Sequence, residues 1–144
     1  MTPRLRVVAG AALLHAAFAG VASARDQREA VTLSRPDAAH MLAGMRQYLK
    51  SVEGVLLGMA RNDMKAVAQS ARKAGMAMVS DVSFEAALSV PSDFALRSME
   101  THQLFDLVAD EARDIGTKLA VTKRLGEAVA TCNSCHAMYR LSGR

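Results

Sequence analysis

Tryptophan is absent from this 144-residue chain, and only 4% of its residues are aromatic. β-Branched residues are also sparse, while Ala, Leu and Met abound. That composition excludes the usual make-up of an all-β sandwich or barrel. Cysteine is nearly absent too. Two residues are too few for a disulfide-dense scaffold or for a four-thiolate zinc site. No run reaches the roughly 20 uncharged apolar residues that a bilayer-spanning helix needs. The length allows one domain, or a small domain with an appendage.

What is present begins with a leader. Arg4 and Arg6 form a positive start, Val7 to Val21 an apolar, Ala-rich run, and Ala22-Ser23-Ala24 a small-residue cleavage site. Together they read as a secretory signal peptide over 1–24. The apolar run, about 15 residues, is short for a membrane anchor, and no second one follows. Export to the periplasm is therefore expected, with no integral membrane segment in the mature chain. The whole chain carries a net charge of +4, and removing the leader takes away two arginines and no acid, leaving +2. No Lys/Arg cluster remains of the kind that binds nucleic acid, so no nucleic-acid partner is expected.

The mature chain reads as all-α. Residues 25–36 are polar and without periodicity, an N-terminal arm, and 37–144 form the domain. Four helices and no strands are expected there. The first opens at Asp37 as N-cap and runs to about Ala60. Met41, Leu42, Met45, Tyr48, Leu49, Val52, Val55, Leu56 and Met59 recur along it at intervals of three and four. Asn62-Asp63 breaks the pattern and caps a second helix, whose inner face is Met64, Val67, Ala71, Ala74, Gly75 and Met78. Residues 80–91 form a long irregular connection. The third helix starts at Ser92 and ends near Gly116; the fourth opens at Thr117. The short links between helices one and two, and three and four, make those pairs antiparallel. An up-down-up-down four-helix bundle follows.

One motif carries chemistry. Thr131-Cys132-Asn133-Ser134-Cys135-His136 contains C-x-x-C-H, the attachment pattern of c-type haem. On a helix, Cys132 and Cys135 project from one face, so both thiols can add to the vinyl groups of one porphyrin edge. His136, four residues from Cys132, then lies over the macrocycle as the proximal iron ligand. A disulfide, a thioredoxin-like dithiol and a zinc site compete with this reading. The redox dithiol starts a helix in a βαβ setting, whereas this motif lies near the end of the last helix. Zinc would need a fourth ligand, and no second pair of suitable spacing exists. Export, the helical pattern and the two cysteines together favour one covalently bound haem c with its iron.

The ending Cys132-Asn133-Ser134-Cys135-His136-Ala137-Met138-Tyr139-Arg140 resembles the C-x-x-C-H-x-x-[YF]-R terminus of the cytochrome c′ family, with the helix pattern matching over about Asp37 to Leu141. The resemblance implies a four-helix bundle with haem attached to the fourth helix, and electron transfer with redox partner proteins rather than enzymatic turnover. In the low-spin branch a Met on the first helix is the distal iron ligand. Met45 falls where that Met is expected, with Met41, one turn earlier, in reserve. Thioether ligation favours ferrous iron and raises the potential relative to bis-imidazole. In the high-spin branch an apolar residue of the first helix covers the distal iron face, and some members bind NO or CO there. Dimerisation through helices 1 and 2 is common among such proteins and is a further expectation.

Three lesser features complete the reading. Arg140 shares a helical face with His136 and can pair with a haem propionate or sit as an exposed cation at the helix end. His40 is expected to face solvent or a loop, and His102 to take a surface or half-buried packing role, the haem edge being its alternative. The acidic run Asp106, Asp110, Glu111 and Asp114 is expected to form a solvated helix face.

Overall fold

The computed structural model describes residues 26–114 and 117–143. The leader read over 1–24 and the helix stop at Gly116 lie outside these residues. Five helices are described: α1 (Arg35–Ala60), α2 (Met64–Arg72), α3 (Phe84–Ser89), α4 (Ser92–Asp114) and α5 (Lys118–Met138). A 3₁₀ turn covers Met76–Asp81, and two strands, β1 (Glu29–Leu33) and β2 (Tyr139–Gly143), lie at the two ends of the described chain. The protein is thus mostly helical, as its composition implies. No helix among the described residues is long and apolar enough to cross a membrane.

The helix ends follow local hydrogen-bonding chemistry. Ser34, not Asp37, is the N-cap of α1: its Oγ accepts the Asp37 amide at 3.3 Å. Pro36 and Asp37 then occupy the first turn, where a missing N–H costs nothing and a carboxylate meets the positive end of the helix dipole. At the other end Asn62 takes the left-handed conformation, with φ of 57°. Asp63 caps α2 by accepting the Ala66 amide at 2.9 Å, as the sequence predicts. Thr117 caps α5 through Ala120. α2 stops at Arg72, so Ala74, Gly75 and Met78 belong to the turn and the 3₁₀ segment beyond it rather than to one helical face.

Two expectations need correction. The connection 80–91 is not wholly irregular, because Ser83 accepts the Ala86 amide and nucleates α3. The N-terminal arm, read as polar and aperiodic in a chain without strands, forms a strand. β1 pairs in parallel with β2, Glu29 opposite Tyr139 through Leu33 opposite Gly143. Val31 and Leu33 alternate inward and are 1% and 2% exposed. A two-residue period over five positions is too brief to stand out in the sequence, but burial of both side chains stabilises the pairing by roughly 1.5–3 kcal/mol each.

Helix α1 packs on α2, α2 on α4, and α4 on α5. Their shared core holds Val55, Met59, Val67, Ala71, Phe105, Val108, Val121 and Leu125. Small residues set the α1–α2 spacing. A Cβ placed on Gly58 would lie 2.8 Å from Val67 Cγ2, and one on Gly54 would lie 2.5 Å from Ser70 Oγ. A second, smaller core joins Val31, Leu33, Ala86, Phe94 and Tyr139, fastening the strands and α3 to the start of α4.

Candidate functional site

Between the first half of α1 and the last turns of α5 the packing opens into a cavity, with α4 behind it and the 3₁₀–α3 segment along one side. It contains about 880 Å³ of atom-free space, part of it open to solvent. From α5 the wall carries Cys132, Cys135 and His136; from α1 it carries Met41, Met45 and Tyr48. The residues singled out on two distant stretches of sequence therefore meet across one space. A second cavity adjoins it, with Arg28, Leu42, Arg140 and Leu141 in its lining. Met45, Phe94, Cys135 and His136 border both cavities.

The two cysteines are half-buried and not bonded to each other. Burial pushes both thiols above their ordinary range; at Cys135 the Arg97 guanidinium offsets part of this. They are protonated at neutral pH. A redox dithiol of the thioredoxin kind depends on the opposite shift. His136 is exposed at the junction of the cavities. No group of three or more His, Cys, Asp or Glu side chains among the described residues is gathered closely enough to hold a metal ion.

The two methionines differ. Met41 packs against the smaller core beside Ala38 and Met138, so its side chain is already used in packing. Met45, half-buried, borders both cavities and belongs to neither core. Of the two, Met45 is the thioether less committed to packing.

Two neighbours of the cavity make contacts that the sequence did not reveal. His102 is buried, not at the surface. Its Nδ1–H donates to the Ala74 carbonyl at 2.8 Å, which leaves Nε2 to accept the Tyr48 hydroxyl at 2.7 Å. Tyr48 in turn stacks on Phe105, with ring centroids 5.5 Å apart, and burial pushes its hydroxyl far above the usual phenol range. This chain of contacts ties α1, α4 and the turn after α2 together at the cavity wall. Arg97 is a second unforeseen neighbour. Its Nε donates to Asp93 at 2.8 Å and its Nη1 to Ser134 Oγ at 3.0 Å, within the C-x-x-C-H segment itself. Asp93 also accepts the Tyr139 hydroxyl, and the Arg97 hydrogen bond is the chief reason its carboxyl lies below the ordinary range.

No family model, no curated protein and no solved structure matches this chain. The motif and the cavity it faces are the chain's clearest marks of function.

The remaining sequence-derived residues lie at the margins. His40 is exposed on the cavity rim. Arg140 is on β2, past the end of α5, and its Nε lies 3.7 Å from Asp26 Oδ2. The acidic run of α4 is more engaged than a solvated face. Arg72 of α2 bridges Asp106 and Asp110, Arg113 pairs with Asp110, and Arg124 lies 3.9 Å from Glu111. Asp106 Oδ2 also accepts the Met76 amide at 2.9 Å. That run helps to hold α2 and the 3₁₀ turn against α4.

Proposed function

We propose that this chain is a periplasmic, monohaem c-type cytochrome of the c′ type, which carries single electrons between redox partners and is not an enzyme. In this reading α1, α2, α4 and α5 are the four helices of an up-down-up-down bundle, and haem is attached to the last of them. The observation that carries it is the convergence of Cys132, Cys135 and His136 with Met45 on one largely apolar cavity between α1 and α5.

The residues fit such a group. Cys132 and Cys135 are protonated thiols on one helix face, the form that adds across a vinyl group, and would hold the porphyrin by two thioethers. His136 would be the proximal ligand and Met45 the distal one. Arg140, with its Nε buried and lacking a hydrogen-bond partner, suits a propionate. A haem held there supplies a reversible one-electron couple. The surrounding chain excludes water with Met78, Val82, Ala86 and Phe94 and keeps the cavity wall rigid through Tyr48 and His102. Dimerisation through α1 and α2 belongs to the same reading. It is supported by Leu42, Leu49 and Leu56, which are spaced seven apart along α1 and are 44%, 70% and 50% exposed.

One optical experiment tests the proposal. The purified holoprotein is expected to give a positive pyridine haemochrome and a low-spin oxidised spectrum with a thioether-to-iron charge-transfer band. Met45→Ala is expected to turn it high-spin. A high-spin wild-type spectrum would remove Met45 from the iron and favour the five-coordinate reading, a cytochrome c′ that binds NO or CO. Absence of covalent haem from protein made with the haem-attachment machinery would end both readings.

A further inference from the structure

The cavity bordered by Arg28 and Arg140 has an unusual wall. Leu42, Met45, Phe94 and Cys135 give it an apolar floor, and the two guanidiniums stand at its edge. Arg140 Nε is buried and has no hydrogen-bond partner, its ion-pair partner Asp26 Oδ2 lying 3.7 Å away. A buried cationic N–H without an acceptor is costly, so this atom is poised for one. Arg28 is brought there by the N-terminal strand. The residue after it, Glu29, is in register with Tyr139, and Ala30 with Arg140. Its Nη1 donates to the His136 carbonyl at 3.3 Å, which fixes a positive charge at the negative end of α5, at the C-x-x-C-H motif. Its Nε and Nη2 grip Asp26 at 3.0 and 2.8 Å. Asp26 is held down to about 2, chiefly by its hydrogen bonds to Arg28.

Resting on the haem reading, we propose that Arg28 and Arg140 together clasp one carboxylate of the bound cofactor, and that this clasp latches β1 onto β2. A flat apolar body with acidic groups on one edge matches an apolar cavity with a cationic rim. Each guanidinium has N–H groups left over: Arg140 its buried Nε, and Arg28 the protons not used by Asp26 and His136. The N-terminal arm thereby becomes part of the cofactor site, although it is far from the motif in sequence. Asp26 holds the two arginines within reach of one another and does not itself border the cavity.

The experiment compares holoprotein of wild type, Arg28→Gln, Arg140→Gln and, as a remote control, Arg113→Gln. Two readouts are taken: the resonance Raman band for bending of the haem propionates, and hydrogen exchange of the β1 amides. The Raman band is expected to move to lower frequency in both Arg28→Gln and Arg140→Gln and to stay put in Arg113→Gln. The β1 amides are expected to exchange about tenfold faster in Arg140→Gln, the order of effect of losing one charge-assisted hydrogen bond. A band unmoved in either of the two variants overturns the shared clasp, even if exchange quickens, because a purely structural arginine would change exchange alone. If a Gln variant does not accumulate, Arg28→Lys and Arg140→Lys, which keep the charge but lose the fork, are expected to give a smaller shift of the same sign. An unmoved band in them overturns the clasp equally. Wild-type protein without covalent haem overturns the haem reading itself and this clasp with it, an outcome that mass measurement distinguishes from a haem-bearing protein whose propionate band is indifferent to both arginines.

Discussion

The two ends of the helical assembly are built on opposite principles. At one end α2, the second half of α1, the C-terminal half of α4 and the start of α5 close on fully buried Val55, Val67, Phe105, Val108 and Val121. Ala71, Ala109, Ala112 and Ala128, with Gly54 and Gly58, let the backbones approach closely. At the other end the side chains are larger and half-buried (Met41, Met45, Tyr48), polar groups intrude, and a cavity remains. Apolar packing dominates the closed end, with the Arg72 ion pairs at its surface, whereas the open end relies more on directed hydrogen bonds: Ser83 Oγ to Asp37, Arg97 to Asp93, and Tyr48 to His102. A fold that leaves a cavity at one end keeps its closest packing at the other.

Three perturbations sharpen that division. The largest effect is expected from Leu125→Ala, which opens a void in the closed end. Chemical denaturation of the holoprotein should register a loss of about 2–5 kcal/mol, with the visible spectrum unchanged. A changed spectrum would mean that the two ends are not separable. Tyr48→Phe is expected to cost less, about 1–3 kcal/mol, the cost of leaving the buried His102 Nε2 without its donor. Because the Tyr48 ring spans both regions, this variant should also perturb the cavity, seen as a change in the near-ultraviolet circular dichroism. The smallest and most local effect is expected from acid. Asp26, Asp37 and Asp93 all have carboxyls held below their ordinary range, by hydrogen bonds from Arg28, from Ser34 and Ser83, and from Arg97 and Tyr139 respectively. Groups with a lowered folded-state pKa contribute stability above about pH 4, and it is lost as pH falls through their folded values, which for Asp26 is about 2. Hydrogen exchange across that window should loosen β1 and α3 before the α2–α4 core. Simultaneous loss would contradict the division.

The helices were legible because their signals are local. A three- and four-residue apolar spacing, a Ser, Asp or Thr cap and the Asn62-Asp63 break each act within one or two turns. C-x-x-C-H was legible for the same reason. What escaped depends on distance along the chain. Arg28 reaches His136 across 108 positions, and Arg72 reaches Asp106 and Asp110 across 34 and 38. Only the fold decides such meetings. β1 escaped because Val31 and Leu33 show their alternation only once the Phe94–Tyr139 core exists to receive them. The α1 cap is a different case, a local ambiguity. Ser34 and Asp37 both suit the position, and Pro36 is tolerated on either side of it.

The pairing of β1 with β2 also bears on the order in which the protein is completed. Thr32 meets Ser142, 110 positions along the chain, so the sheet is among the most non-local contacts in the molecule and carries a large loop-closure entropy. In a chain synthesised from its N-terminus, β1 is made first and waits for the last five strand-forming residues. Cys132 and Cys135 emerge before those residues do. The sheet can therefore close only after the whole C-x-x-C-H segment, which lies between its two strands in sequence, has been made.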